Sequence, residues 1–153
     1  MIKTAVFPGS FDPITKGHES IVKRALPLFD EVVVAIGMNA SKNHFFSLEK
    51  RKAWIEQVFA SEPKVKVETY EGLTVDFCKT INANYILRGL RTSADFEFER
   101  TIAQMNYAMD NGIETVFIVS TPELSAINST IVRDILRHGG DAIPFVPDGI
   151  ELT

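Results

Sequence analysis

Strand-like and helix-like patterns alternate along this chain from end to end, and little else restricts its possible folds so strongly. The strand candidates are Lys3–Phe7, Glu31–Gly37, Lys64–Thr69, Tyr85–Arg88 and Thr115–Val119. Most are short, continuous and β-branched, as strands covered on both faces should be. Between them, apolar residues recur at helical spacing. Gly17–Phe29 carries Ile21, Val22, Ala25, Leu28 and Phe29 on one stripe. Ser47–Ala60 opens on an N-cap serine and carries Leu48, Ile55, Val58 and Phe59 on one side. Leu73–Ile81, Ala94–Asp110 and Ser129–His138 complete the series; Asn111-Gly112 and Gly139-Gly140 are read as stops for the last two. The tail, with Pro144 and Pro147, is expected to form turns or short helical pieces. The pattern predicts an α/β fold: a doubly wound, Rossmann-like parallel sheet of about five strands, with right-handed crossovers and helices on both faces. No linker, repeat or low-complexity segment interrupts it, so residues 1–153 read as a single domain, large enough to bury a core without staples.

Several function classes are disfavoured at once. Cys78 is the only cysteine, so no internal disulfide can form. Apolar stretches such as Val32–Ile36 are too short to span a bilayer, and Lys3 and Thr4 interrupt the first apolar run, unlike a signal peptide. A cytoplasmic protein without membrane contact is the expectation. The formal net charge of −4 argues against broad nucleic-acid binding, but a few cations gathered in one cleft can still hold phosphates.

In a doubly wound sheet, ligands bind beyond the carboxyl ends of the strands, so the loops after the strands carry the chemistry. The first runs from Phe7 to His18. Gly9 allows a tight turn with backbone close to a ligand, Ser10 offers a hydroxyl and an N–H, and Asp12-Pro13 sets a second turn. Gly17 and His18 then open a helix whose N-terminus favours phosphate. Gly9 has no partners at dinucleotide-fingerprint spacing and no Walker pattern exists, which disfavours a nicotinamide-dependent oxidoreductase. The loop after the second strand, Asn39 to Phe46, is polar and basic; Lys42 can reach a phosphate, while His44 is read as a surface residue. After the fourth strand, Arg88 and Arg91 straddle Gly89 and Leu90, with fork geometry suited to phosphate oxygens or to ion pairs with Asp95, Glu97 and Glu99. After the fifth, Ser129 and Thr130 begin another helix, where they could hold phosphate or simply cap it. Cys78 reads as a small apolar filler.

Gly9-Ser10-Phe11-Asp12-Pro13 followed by Thr15-Lys16-Gly17-His18 resembles the signature of nucleotidyltransferases with a (His/Thr)-x-Gly-His motif. Arg88-Gly89-Leu90-Arg91 with Asp95-Phe96-Glu97-x-Glu99, together with Ser41-Lys42, resembles the phosphopantetheine adenylyltransferases within that superfamily. Ile127, Ser129, Thr130 and Arg133 match a further superfamily motif. Ser10 stands where the family usually has threonine, and Asn128 where serine is usual; both departures keep a hydrogen-bonding or capping side chain.

The resemblance implies transfer of the adenylyl group of ATP to 4′-phosphopantetheine, by direct in-line attack without a covalent intermediate. By the same resemblance His18, Lys42 and Arg91 are catalytic, and Ser10, Lys42, Thr74 and Arg88 bind the acceptor. ATP would be held by Ser10, Phe11, His18, Gly89, Leu90, Arg91 and Glu99, and by the run Leu124, Ser125, Ala126, Ile127, Asn128, Ser129 and Thr130. Mg²⁺ would arrive with ATP, without a dedicated carboxylate cage. A homohexamer is implied, with interface material on the helix from Ala94. Two alternatives stand beside this reading: a sister enzyme using CTP with a polyol phosphate or ATP with nicotinamide mononucleotide, and a non-catalytic nucleotide-binding regulator on the same fold.

Overall fold

The computed structural model of the chain describes residues 1–38 and 42–153; Ser41, part of the Ser41-Lys42 match, lies outside the described residues. The strands are β1 (Thr4–Gly9), β2 (Glu31–Gly37), β3 (Val65–Tyr70), β4 (Tyr85–Leu90) and β5 (Glu114–Val119). They form one sheet in the order β3-β2-β1-β4-β5, and every pairing is parallel. The helices are α1 (Lys16–Ala25), α2 (Leu48–Val58), α3 (Thr74–Thr80), α4 (Ser93–Met109) and α5 (Ser129–Arg137). The expected Rossmann-like architecture is therefore present. β1 and β4 run two residues further than predicted because their last residues still pair, Gly9 with Ile36 and Leu90 with Val119.

The two-residue period of the strands sorts the core into two layers. Ala5, Phe7, Val34 and Leu87 face one side, with Ile21 and Val22 of α1, Ile55 of α2 and Val132 of α5. Val6, Val33 and Ile86 face the other and meet Val75 and Cys78 of α3. Cys78 is fully buried, and burial pushes its thiol pKa up to about 11, which suits a filler. Arg88 shares the Ile86 face and pairs with Glu99, which places α4 on the α3 side of the sheet. Of the 17 residues of α4, only Glu99 is buried.

Helix ends depart from the sequence expectation for local reasons. α1 starts at Lys16 behind the N-cap Thr15, and stops at Ala25 rather than Phe29. Pro27 offers no N–H to continue the ladder, and a 3₁₀ turn over Leu26–Leu28 follows. Leu28 consequently leaves the buried stripe, while Phe29 stays in the core. Gly139 does stop α5, with φ at 76° and Gly140 N–H donating to the Ile135 carbonyl at 2.9 Å. Gly112 is not such a stop: Asp110 ends α4 in an extended conformation and takes the Gly112 N–H on its own side chain.

The crossovers diverge between β1 and β4, so the loops after these strands part and leave a crevice at their carboxyl ends.

Candidate active site

The β1–α1 loop is built around Phe11 and His18. Phe11 adopts a left-handed φ of 49° and is buried, with its ring against Phe7 and edge-on to His18 at 4.9 Å. Gly9 does not supply the left-handed turn. A Cβ there would stand 3.1 Å from the Phe11 ring, so close packing against that ring is what favours glycine. At the helix start Thr15 and His18 form a reciprocal cap: His18 N–H donates to Thr15 Oγ1 at 3.4 Å, and Thr15 N–H donates to His18 Nδ1 at 3.0 Å. Because Nδ1 accepts, the ring proton belongs on Nε2, which remains available to the cleft that His18 lines. Burial first, then the charges of Arg88 and Arg91, lower the His18 pKa from 6.5 to about 3. The imidazole keeps a partly open edge but is neutral at physiological pH.

Among the described residues, Lys42, Arg88 and Arg91 stand around the crevice, with Arg133 at its α5 end. Lys42 Nζ donates to Ser10 Oγ at 3.1 Å. Arg88 grips Glu99 with two bonds, Nε to Oε2 at 2.9 Å and Nη2 to Oε1 at 2.6 Å, and its Nη1 donates to the Pro8 carbonyl at 2.6 Å. Arg91 leans on Asp95 through Nε at 3.2 Å. The ion-pair reading of the arginine segment thus holds for two of its three acids. Glu99 and Asp95 are ion-pair partners, while Glu97 turns to Arg100 instead.

The crevice comprises two adjoining cavities. One of about 590 Å³ runs toward Met38, Tyr70, Thr74 and Asn106. The other, of about 320 Å³, runs toward His18, Arg91 and the start of α5. Pro8, Gly9, Ser10, Lys42, Arg88 and Glu99 line both and form the wall between them. Thr74 therefore lies with Lys42 and Arg88 on the larger side, its Oγ1 bonded to the Tyr70 hydroxyl at 2.8 Å. Phe11, Gly89, Ile127, Asn128, Ser129 and Thr130 lie on the smaller side.

Four sequence candidates do not line either cavity: Leu90, Leu124, Ser125 and Ala126. Leu90 ends β4 in register with Val119, and the Ser125 hydroxyl is spent on the Pro122 carbonyl at 2.9 Å within a 3₁₀ turn. Gly89 also has a packing role, since a Cβ there would meet Ile21 at 3.0 Å. Asn128 caps α5 as expected, its Oδ1 accepting Ile131 N–H at 2.8 Å. The Ser129 hydroxyl donates to the Pro13 carbonyl at 2.8 Å, while Thr130 Oγ1 accepts from Arg133 at 3.2 Å.

Other residues shape the site without having been assigned a place in it from sequence. Arg133 Nη1 donates to the Asp12 carbonyl at 2.8 Å and clips α5 to the first loop. Arg51 is buried although charged, at a position between Leu48 and Ile55 on the apolar stripe of α2; a cation at core spacing was the available signal. His44 is not a surface residue: its side chain is largely buried, with Nδ1 at 3.6 Å from Asp12. Nothing in sequence spacing announces that contact, because the two residues sit on different loops. Among the described residues, no three His, Cys, Asp or Glu side chains gather as a metal cage.

A family model described as cytidylyltransferase-like matches residues 6–135. A phosphopantetheine adenylyltransferase of Flavobacterium johnsoniae is 57% identical over 151 residues, covering 99% of each chain. One from Bacteroides fragilis is 46% identical, covering 99% of this chain and all of its own. Among solved structures, a Vibrio parahaemolyticus chain proposed to be a nicotinate-nucleotide adenylyltransferase superposes with a TM-score of 0.74, covering 98% of this chain and 96% of its own. At 19% identity that likeness concerns the fold.

Proposed function

Because this chain belongs to the phosphopantetheine adenylyltransferase family, we propose that it transfers the adenylyl group of ATP to 4′-phosphopantetheine, giving dephospho-coenzyme A and pyrophosphate in coenzyme A biosynthesis. The observation that carries the reading is that Lys42 and Arg88, with the Ser10 hydroxyl, stand on the wall between two cavities of unequal size. Such a wall suits two phosphates meeting from opposite sides. The larger cavity would take the pantetheine arm and the smaller one the nucleotide.

A phosphomonoester has its second pKa at about 6, so the acceptor is already largely dianionic at neutral pH and needs no general base. One acceptor oxygen attacks the α-phosphorus of ATP, and the bond to the bridging oxygen of the β-phosphate breaks, releasing pyrophosphate. Catalysis is then positioning plus stabilisation of charge on the α-phosphate oxygens. Lys42 and Arg88 hold the incoming phosphate in line, and Ser10 orients it. His18 donates its Nε2 proton as a hydrogen bond to the oxygen on which charge develops at the α-phosphate. Arg91, Ser129 and Thr130 hold the leaving pyrophosphate. The Ser129 hydroxyl is already donated to Pro13, so Ser129 would serve mainly through its N–H at the α5 terminus. Glu99 has both oxygens on Arg88, which favours a role in aiming that arginine over contact with the nucleotide.

Mg²⁺ would come with ATP, bound by phosphate oxygens and water, and would neutralise triphosphate charge. The site fits an ion carried in this way, because the carboxylates lining the smaller cavity already serve protein partners: Asp12 two loop amides, Asp95 Arg91, and Glu99 Arg88. A homohexamer is part of the proposal, supported by the exposed Phe98, Met105 and Met109 of α4. A cytoplasmic location is proposed too; among the described residues no helix is long and apolar enough to cross a membrane.

Pyrophosphate release from ATP with and without 4′-phosphopantetheine tests the reading, beside CTP with glycerol 3-phosphate and ATP with nicotinamide mononucleotide. Turnover is expected with the first pair alone. Turnover confined to either of the others would keep the superfamily and discard the acceptor.

A further inference from the structure

The first loop and the lysine loop are tied together from behind by two buried charges. Asp12, 3% exposed, accepts the backbone N–H of Phe45 at 2.7 Å on one oxygen and of Phe46 at 2.9 Å on the other. Arg51, 4% exposed in the first turn of α2, donates Nε to the Phe46 carbonyl at 3.1 Å and Nη1 to the Ser10 carbonyl at 2.8 Å. A carboxylate on the first loop thus holds the amides of the second, and a guanidinium beneath the second holds a carbonyl of the first. His44 Nδ1 stands 3.6 Å from Asp12 Oδ2, farther than either amide nitrogen.

On the cleft side of the same two loops, Lys42 Nζ meets Ser10 Oγ at 3.1 Å. Burying a charge costs several kcal/mol, and a fold dispenses with it unless its hydrogen bonds do something that apolar packing cannot. Here they bridge segments that follow different strands. Arginine suits the task because its planar fork reaches two carbonyls at once; a lysine ammonium on a flexible stem does not hold both in one plane.

We propose that Arg51, with Asp12, is a positioning residue for the adenylyl transfer: through Phe46 and Ser10 it sets where Lys42 stands on the wall between the two cavities. This rests on the reading that the acceptor phosphate is gripped at that wall. Arg51 touches no substrate; it acts through Lys42 and Ser10.

A double-mutant cycle tests it. Wild type, Arg51→Lys, Lys42→Ala and the double variant are compared for kcat/KM of whichever acceptor the wild type turns over, with ATP binding by calorimetry and Tm recorded for each. Arg51→Lys is expected to lower acceptor kcat/KM about tenfold alone, by less than about twofold on top of Lys42→Ala, and to leave ATP affinity within about twofold. Equal losses in both backgrounds, unchanged turnover, or a loss of ATP affinity as large as the loss in acceptor use would overturn the proposal. If Arg51→Lys fails to fold, Asp12→Asn enters the same cycle, since an amide has one carbonyl oxygen for the two loop N–H groups. Using the acceptor the wild type itself selects keeps the cycle readable even if the assigned acceptor is wrong.

Discussion

At the scale of single residues, His18 is the side chain of the crevice whose surroundings are most closely defined. Its tautomer is set by Thr15, its neutrality by burial and by Arg88 and Arg91, and its position by a helix terminus. His18→Ala is expected to lower kcat by about 10²–10³ while changing ATP affinity much less, because the lost donor matters most in the transition state. Steady-state kinetics with calorimetry on the same variant check this; near-normal turnover would remove His18 from the mechanism. The pH dependence follows with a definite sign. In the unfolded chain the histidine takes a proton below about pH 6.5, whereas in the folded apo protein it stays neutral down to about 3. Between those values the unfolded state binds more protons, so this group's contribution to stability is complete above about 6.5 and is lost as the pH falls toward 3. Thermal melts from pH 7 to pH 4 are therefore expected to show a steeper decline for wild type than for His18→Ala. Parallel declines would contradict the assigned protonation.

The elements matter chiefly through their ends. Strands deliver residues to the crevice, and four of the five α-helix N-termini are capped by an identifiable side chain: Thr15 for α1, Ser47 for α2, Thr92 for α4 and Asn128 for α5. Asn128 replaces the serine usual in the motif and still accepts Ile131 N–H. Asn128→Ala is expected to cost about 1 kcal/mol of stability in urea unfolding, whereas Asn128→Ser should stay within a few tenths. The alanine variant should also bind ATP more weakly, since a frayed α5 start withdraws Ser129 and Thr130 from the smaller cavity. Unchanged ATP affinity in a destabilised Asn128→Ala protein would show that the α5 terminus is structural only.

At the scale of the whole molecule, one sheet face is covered more completely than the other. α1, α2, α5 and the tail close one layer, while α4 buries only Glu99 and leaves Phe98 at 68% and Met105 at 58% exposure. An apolar helix face of this kind suits burial against further copies of the chain. Light scattering should accordingly give a hexamer for wild type and smaller species for Phe98→Glu with Met105→Glu; a monomeric wild type would end that expectation. The alternation of strands and helices was legible from sequence because periods of 2 and 3.6 are local properties, and so were Lys42, Arg88, Arg91 and the α5 cap, each lying in a contiguous loop motif. The pairing of Glu99 with Arg88 was open only as one of several possible ion pairs, since sequence distance does not choose among three nearby acids. The bond of Arg51 to the Ser10 carbonyl, the contact of His44 with Asp12, and the division of the crevice into two cavities were decided by tertiary structure alone. They arise where loops after different strands meet across the switch point, and which atoms meet there depends on the three-dimensional path of the backbone, which no local period encodes.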